Sequence, residues 1–358
     1  MTSVAKPSIV RITKALAVAG AFVAYGCGTG NSPTPGLEQF VFQGEAQGTT
    51  YTIKYLATDS VPHAVVTEVL RAVDDEMNAW RSDSWISRVN ALPADTVVLP
   101  DPHGIWRDMW SQSQRIHDLS GGAFDVTVAP WMRLWGFRSE HADVVTQQQV
   151  DSVRLFAGMD RRAVEAAYGD SMPFMLVKHD ERAQLDFNAI AQGYTVDLML
   201  EALVDRGVRH AMVELGGEVR CLGQNATGLP WRIAVDRPQE EGRTLQAILA
   251  MEDQAVCTSG NYRKVRVVNG QRISHTIDPR TGYPVTHGLL SATILAPTAA
   301  EADAYATACM VMGPDSAKEW LGRLGPGVEA LFIVDGEGES FDFWASPTLQ
   351  PRLEWLED

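Results

Sequence analysis

The sequence predicts an α+β fold, with mixed or antiparallel sheets and packed helices. Apolar residues make up 45% and charged residues 21% of the 358, enough to bury a proper core. Short alternating runs typical of strands are interspersed with stretches of helical periodicity. The two kinds of segment do not repeat as strict βαβ units, which points to mixed or antiparallel sheets.

The chain opens on a targeting segment. Lys6, Arg11 and Lys14 give a basic start with no acid among them. The uncharged run 15–25 (ALAVAGAFVAY) is shorter than the roughly 20 residues a membrane helix needs, and it fits the apolar region of a secretory signal. Ala24-Tyr25-Gly26-Cys27 resembles a lipobox, in which Cys27 is lipidated and becomes the mature N-terminus. An ordinary cleaved signal with a chance cysteine is the plainer alternative. The tether-like stretch 28–36 (GTGNSPTPG) favours the lipoprotein. The expected organisation is a signal over 1–26, a tether over 27–40 and one domain over 41–350. The expected location is the bacterial periplasm or cell envelope, at a membrane through the lipid anchor.

The body is read in chain order. Tyr51 to Tyr55 alternates as a strand. Val66, Val69, Leu70, Val73, Met77 and Trp80 recur at helical spacing. Trp106, Met109, Trp110, Ile116 and His117 mark a second helix, closed by Gly121-Gly122. Val126 to Val128 reads as an apolar strand after that turn. Ile190 to Val204 is helical and ends near Gly207. Ala211 to Leu215, Trp231 to Val235, Lys264 to Val268 and Ala330 to Val334 read as strands. Thr298 to Glu301 has capping-box spacing and opens a last helix that Gly313-Pro314 stops.

Charge bounds the function. Lys plus Arg is 30 against 45 Asp plus Glu, a net charge of −15, so nucleic-acid binding is not expected. A small anionic substrate needs a metal or local basic groups to offset that field. The 121–125 turn is neither a P-loop nor GxGxxG, and the chain has no HExxH, CxxC or GxSxG.

Three segments can carry chemistry. Asp303 and Thr307 lie four apart and share one helix face, where a carboxylate and a hydroxyl suit Mg²⁺ or Ca²⁺. A helix-terminal carboxylate and a back-bonded threonine would explain the same pair, and on spacing alone that plainer account is preferred. The polar turn from Ser274 to Pro284 gathers His275, Asp278 and Arg280, fit for acid/base work and phosphate binding or simply for holding a loop. In the segment from Leu185 to Tyr194, Asp186 or Asn188 is either a helix cap or part of a ligand-binding turn. Gly216-Gly217 and Thr258-Ser259-Gly260-Asn261 are generic in isolation.

Taken in order, these segments resemble the ApbE family of FAD:protein FMN transferases, often exported lipoproteins. The matching pieces are Gly48 to Tyr51, Met77 to Arg81, Ser87 to Asn90, Gly122 to Thr127 and Leu134 to Phe137. They continue with Asp186 to Gly193, Glu214 to Glu218, Thr258 to Tyr262, His275 to Pro284, and Ala302-Asp303 to Thr307. Each is weak alone; the ordered set, over about 46–313, is specific.

The resemblance implies an ApbE-like catalytic domain that binds FAD with Mg²⁺ and cleaves its pyrophosphate. FMN would pass to a Ser or Thr hydroxyl of an exported or membrane electron-transfer protein, and AMP would leave. It implies metal ligands at Asp303, Thr307 and the Ala189 carbonyl, which reverses the preference for the plainer account of the helix pair. It implies FAD contacts at Gln47, Trp80, Ala123, Phe124, Asp125, Asp186, Gln192 and Ile277. His275 is the implied catalytic candidate, with Asp278 as a carboxylate alternative. Gln47, Trp80 and Gln192 stand where the family often has methionine, tyrosine, and lysine or glutamate. The same residues would serve an FAD pyrophosphatase, with water as acceptor; a non-enzymatic flavin-binding lipoprotein is the third reading.

Overall fold

A computed structural model describes residues 36–137, 144–169, 172–236, 245–261, 265–268, 271–336 and 340–356. The signal, Cys27 and most of the tether lie outside the described residues, as does Tyr262. No helix among the described residues is long and apolar enough to cross a membrane.

The body is built on an eight-stranded sheet. Its order is Glu38–Ala46, Thr49–Ala57, His210–Leu215, Glu218–Leu222, Ala255–Gly260, Leu289–Ala296, Glu329–Asp335 and Phe341–Ala345. Each of these pairings is antiparallel. Strand alternation splits the core between two faces. Ala211, Val213, Leu215, Ala330 and Phe332 face the helices. Met212 and Leu331 point the other way, onto the strands Trp231–Asp236, Leu245–Met251 and Leu353–Trp355. The result is helices on one side of the central sheet and a small second sheet on the other.

Two helices on the first face position the site. Ala191–Val204 and Ala299–Met312 pack against each other, and both are apolar around most of their circumference, as buried helices must be. The second is rich in buried alanines, 299, 300, 302, 304, 306 and 308, whose small side chains let it lie close to its neighbours.

Several local expectations need correction. Trp80 is not on the first helix, which ends at Met77; it sits in the turn beyond. Val126 to Val128 is not a strand but an irregular approach to the helix Ala129–Leu134, where Pro130 sits in the first turn. Neither Asp186 nor Asn188 caps the 191–204 helix, whose cap position is Ile190 with no side-chain bond. Instead the Asn188 N–H donates to Asp186 Oδ1 at 3.0 Å, closing an Asx turn. At the 299–312 helix, Thr298 Oγ1 accepts from the Glu301 N–H at 3.2 Å. The Glu301 carboxylate is paired with Arg115 at 2.7 Å. Lys264 lies outside the described residues, and that strand is Val265–Val268.

Candidate active site

Asp303 is 6% exposed on the 299–312 helix, with Thr307 one turn further on. In a regular helix the Gly193 N–H would bond the carbonyl four residues back, that of Ala189. Here it donates to Asp303 Oδ2 at 3.2 Å, which sets the Ala189 turn beside the 299–312 helix. Only glycine permits this approach: a Cβ on Gly193 would fall 2.2 Å from the Ala299 carbonyl oxygen. The second fastening is Asp197, whose carboxylate accepts from the Ala299 and Ala300 N–H groups at 2.8 and 2.9 Å and from Arg220 at 2.8 Å. Thr307 Oγ1 lies 3.3 Å from Ser259 Oγ.

Beside Asp303 stands Glu218, at the start of the strand that follows the Gly216-Gly217 turn. It is 8% exposed, and its Oε2 has no hydrogen-bond partner among the described residues. Burial first, and then the neighbouring Asp303 charge, raise the Glu218 carboxyl well above its ordinary range. Burial likewise pushes Asp303 up to about 7; the Gly193 N–H opposes it and Asp197 adds to it. Two buried carboxylates, one with an unsatisfied oxygen, are what a hard cation would neutralise. Among the described residues no group of three or more His, Cys, Asp and Glu is arranged for a metal. The donors here are instead mixed: carboxylate, hydroxyl and backbone carbonyl, all hard oxygens, and they fit Mg²⁺.

The Gly216 turn ties this corner to the first hairpin. A Cβ there would lie 2.9 Å from Gln192 Nε2, 2.9 Å from Thr49 Cγ2 and 3.2 Å from Glu218 Oε2. Gln47 and Gly48 form that hairpin's two-residue turn with φ of 51° and 75°, the left-handed pair of a type I′ connection. Such a φ is strained for glutamine, and its side chain is fixed by Nε2 donating to Thr195 Oγ1 at 2.9 Å.

His275 lies between the strands Gln271–Ser274 and Ile277–Asp278. It is half-buried and stands edge-on to Phe137, ring centres 6.4 Å apart. Its neighbours Ser274 and Thr276 both donate to Asn261 Oδ1, at 2.7 and 2.5 Å. Ile277 is buried at the start of a two-residue hairpin with Tyr283-Pro284. Asp278 is held by Arg280, which donates through Nε to Oδ1 at 2.8 Å and through Nη2 to Oδ2 at 2.9 Å. That fork occupies both carboxylate oxygens, so Asp278 is the less suitable of the two base candidates.

The remaining candidates divide. Ala123 and Phe124 are 1% exposed, so the 121–125 turn offers a ligand its backbone rather than these side chains. Asp125 faces inward: Oδ1 accepts from the Thr127 N–H and hydroxyl, and Oδ2 from the Met159 N–H. The Asp186 N–H donates to the Val126 carbonyl at 2.7 Å, joining that turn to the one before Ala189. Trp80 is 78% exposed, its turn set by its N–H donating to Asn78 Oδ1 at 2.9 Å. Contacts thus join Gln47 to Thr195 of the 191–204 helix, that helix to Asp303, and Thr307 to Ser259 of the segment whose Asn261 holds the His275 loop. Sequence reasoning passed over Glu218, Ser259 and Asn261, though each lay in a segment it had singled out.

A model described as the ApbE family matches residues 47–332. The FAD:protein FMN transferase of Escherichia coli (strain K12) is 32% identical over 353 residues, covering 96% of this chain and 98% of that protein. The apo structure of the Pseudomonas stutzeri flavinyl transferase ApbE has a TM-score of 0.77 at 33% identity, over 88% of this chain and 97% of that one. The flavin transferase ApbE from Vibrio cholerae has a TM-score of 0.74 at 31% identity, over 88% and 99%. Sequence and fold agree along nearly the full described length, and the chain belongs to the ApbE family.

Proposed function

We propose that this protein is an enzyme that transfers FMN from FAD to a Ser or Thr hydroxyl of a target protein, with Mg²⁺ and with release of AMP. The observation that carries the reading is the Gly193–Asp303 contact, 3.2 Å long, which brings the Ala189 turn to the helix of Asp303 and Thr307, with Glu218 and its orphaned carboxylate oxygen beside Asp303. Asp303, Thr307 and the Ala189 carbonyl would hold the cation, which when bound would neutralise charge on the pyrophosphate and on the departing AMP.

The chain's own groups do the rest. Trp80 presents a flat apolar face on which an FAD ring can stack. Backbone groups of the 121–125 turn, the Gln47 side chain held by Thr195, and Gln192 would border the cofactor. His275 takes the proton from the acceptor hydroxyl as its oxygen bonds to the FMN phosphorus and the bond from phosphorus to AMP breaks. Acceptors would be exported or membrane electron-transfer proteins, and a lipid at Cys27 would hold the enzyme at the same membrane.

Asp303→Ala tests the cation site. Mg²⁺-dependent formation of AMP from FAD should fall by ~100-fold or more, with the far-ultraviolet spectrum unchanged. Turnover like the parent's would remove Asp303 from the site.

A further inference from the structure

The segment Thr258–Asn261 reaches both halves of the site. Ser259 Oγ lies 3.3 Å from the Thr307 hydroxyl. Two residues on, Asn261 is 8% exposed and its N–H donates to the Leu290 carbonyl at 2.9 Å, so its backbone is fixed to the central sheet. Its Oδ1 accepts from the hydroxyls of Ser274 and Thr276, the residues on either side of His275. The Ser274 hydroxyl also accepts from the Thr276 N–H at 3.0 Å, and the Thr276 carbonyl accepts from the Val285 N–H at 3.0 Å. One amide oxygen therefore clamps the peptide on both sides of the histidine, leaving the imidazole as the group between two anchored neighbours.

We propose that Asn261 is a positioning residue for His275: its side-chain oxygen fixes the 274–276 loop so that the imidazole meets the acceptor hydroxyl. The proposal rests on the role given to His275 above. In this role Asn261 acts through the loop rather than on FAD or the acceptor. Loss of such an anchor costs turnover rather than substrate binding, because a displacement of about 1 Å in a reacting group costs up to ~100-fold. An aspartate in its place keeps the oxygen acceptors.

The test compares Asn261→Ala, Asn261→Asp and His275→Ala in the full chain. Initial rates of AMP release give kcat and the KM for FAD. Nitrogen-15 histidine spectra of the protein without FAD or Mg²⁺ report the imidazole directly. Asn261→Ala should lower kcat by ~10-fold or more and move the FAD KM by less than ~2-fold. It should shift or split the His275 ring signals alone. Asn261→Asp should recover most of kcat. Added to His275→Ala, Asn261→Ala should change the residual rate by less than ~2-fold. Equal losses in both backgrounds, or unmoved His275 signals, would overturn the positioning role. Parental turnover in His275→Ala would instead overturn the reading of His275 itself. Should Asn261→Ala not fold, the double variant Ser274→Ala, Thr276→Val removes the same two bonds from the loop side, with the same expected pattern.

Discussion

At the residue scale the decisive feature is a pair of buried carboxylates. Asp303 is held up to about 7 chiefly by burial, and Glu218 is raised by burial and by Asp303. Both are charged in the unfolded chain above pH ~4–5. The Asp303 contribution to the metal-free fold is therefore whole in acid, declines as pH rises above about 4, and is lost once pH passes about 7, and Glu218 acts in the same direction. Metal-free protein should then lose on the order of a few kcal/mol of this stability between pH 5 and pH 8, and Asp303→Asn should flatten the slope. Chemical denaturation at the two pH values checks this; identical slopes would contradict it. Mg²⁺ affinity should rise up to ~10-fold per pH unit until about pH 7 and then level, because binding displaces the proton. Isothermal titration reads that directly. Helical spacing puts Asp303 and Thr307 on one face but by itself favoured the plainer account of the pair; only the family resemblance pointed to a cation there. Glu218 was not, since an orphaned oxygen exists only after a hairpin turn and a helix close over it. Asn261 was invisible for the same reason: its two partners lie 13 and 15 residues away in sequence.

At the element scale, the contact of the 191–204 and 299–312 helices sets the site. The first read as a helical stretch ending near Gly207 and the second was marked by its capping-box spacing and Gly313-Pro314 stop, and the chain ends both near where expected. Their mutual approach was not legible, because it depends on one missing Cβ. Gly193→Ala would put a carbon 2.2 Å from the Ala299 carbonyl oxygen, so the helices must part. The expected result is a loss of roughly 1–3 kcal/mol in unfolding free energy together with weaker Mg²⁺ binding. Thermal unfolding and cation titration of the same sample check both halves. A variant with parental values would show that the helix contact does not hold the site. Trp80 shows how periodicity overreaches: its spacing continues the helix, but the Asn78 side chain captures the Trp80 N–H and turns the chain out. Val126 to Val128 erred the other way, because an apolar triplet does not distinguish a strand from a buried loop that feeds a helix.

At the scale of the whole molecule, the class was legible and the topology was not. Interspersed strands and helices without βαβ order called for the α+β fold. The strand order, by contrast, rests on long-range antiparallel pairings, such as Thr49–Ala57 with His210–Leu215, that no local pattern encodes. The acidic balance acquires a meaning here as well. A chain of net charge −15 that handles a pyrophosphate needs positive charge at the reacting centre, and a cation between Asp303 and Thr307 would supply it. The most direct measurement mixes the protein with FAD, Mg²⁺ and an electron-transfer domain bearing a surface Ser/Thr motif. Flavin fluorescence is read in a denaturing gel, and AMP and free FMN are assayed in parallel. The transferase reading expects fluorescence in the acceptor band that survives denaturation, requires Mg²⁺ and matches the AMP released. AMP with equimolar free FMN and an unlabelled acceptor would point to a pyrophosphatase, and bound FAD with no AMP to a binding protein; either would contradict the transferase.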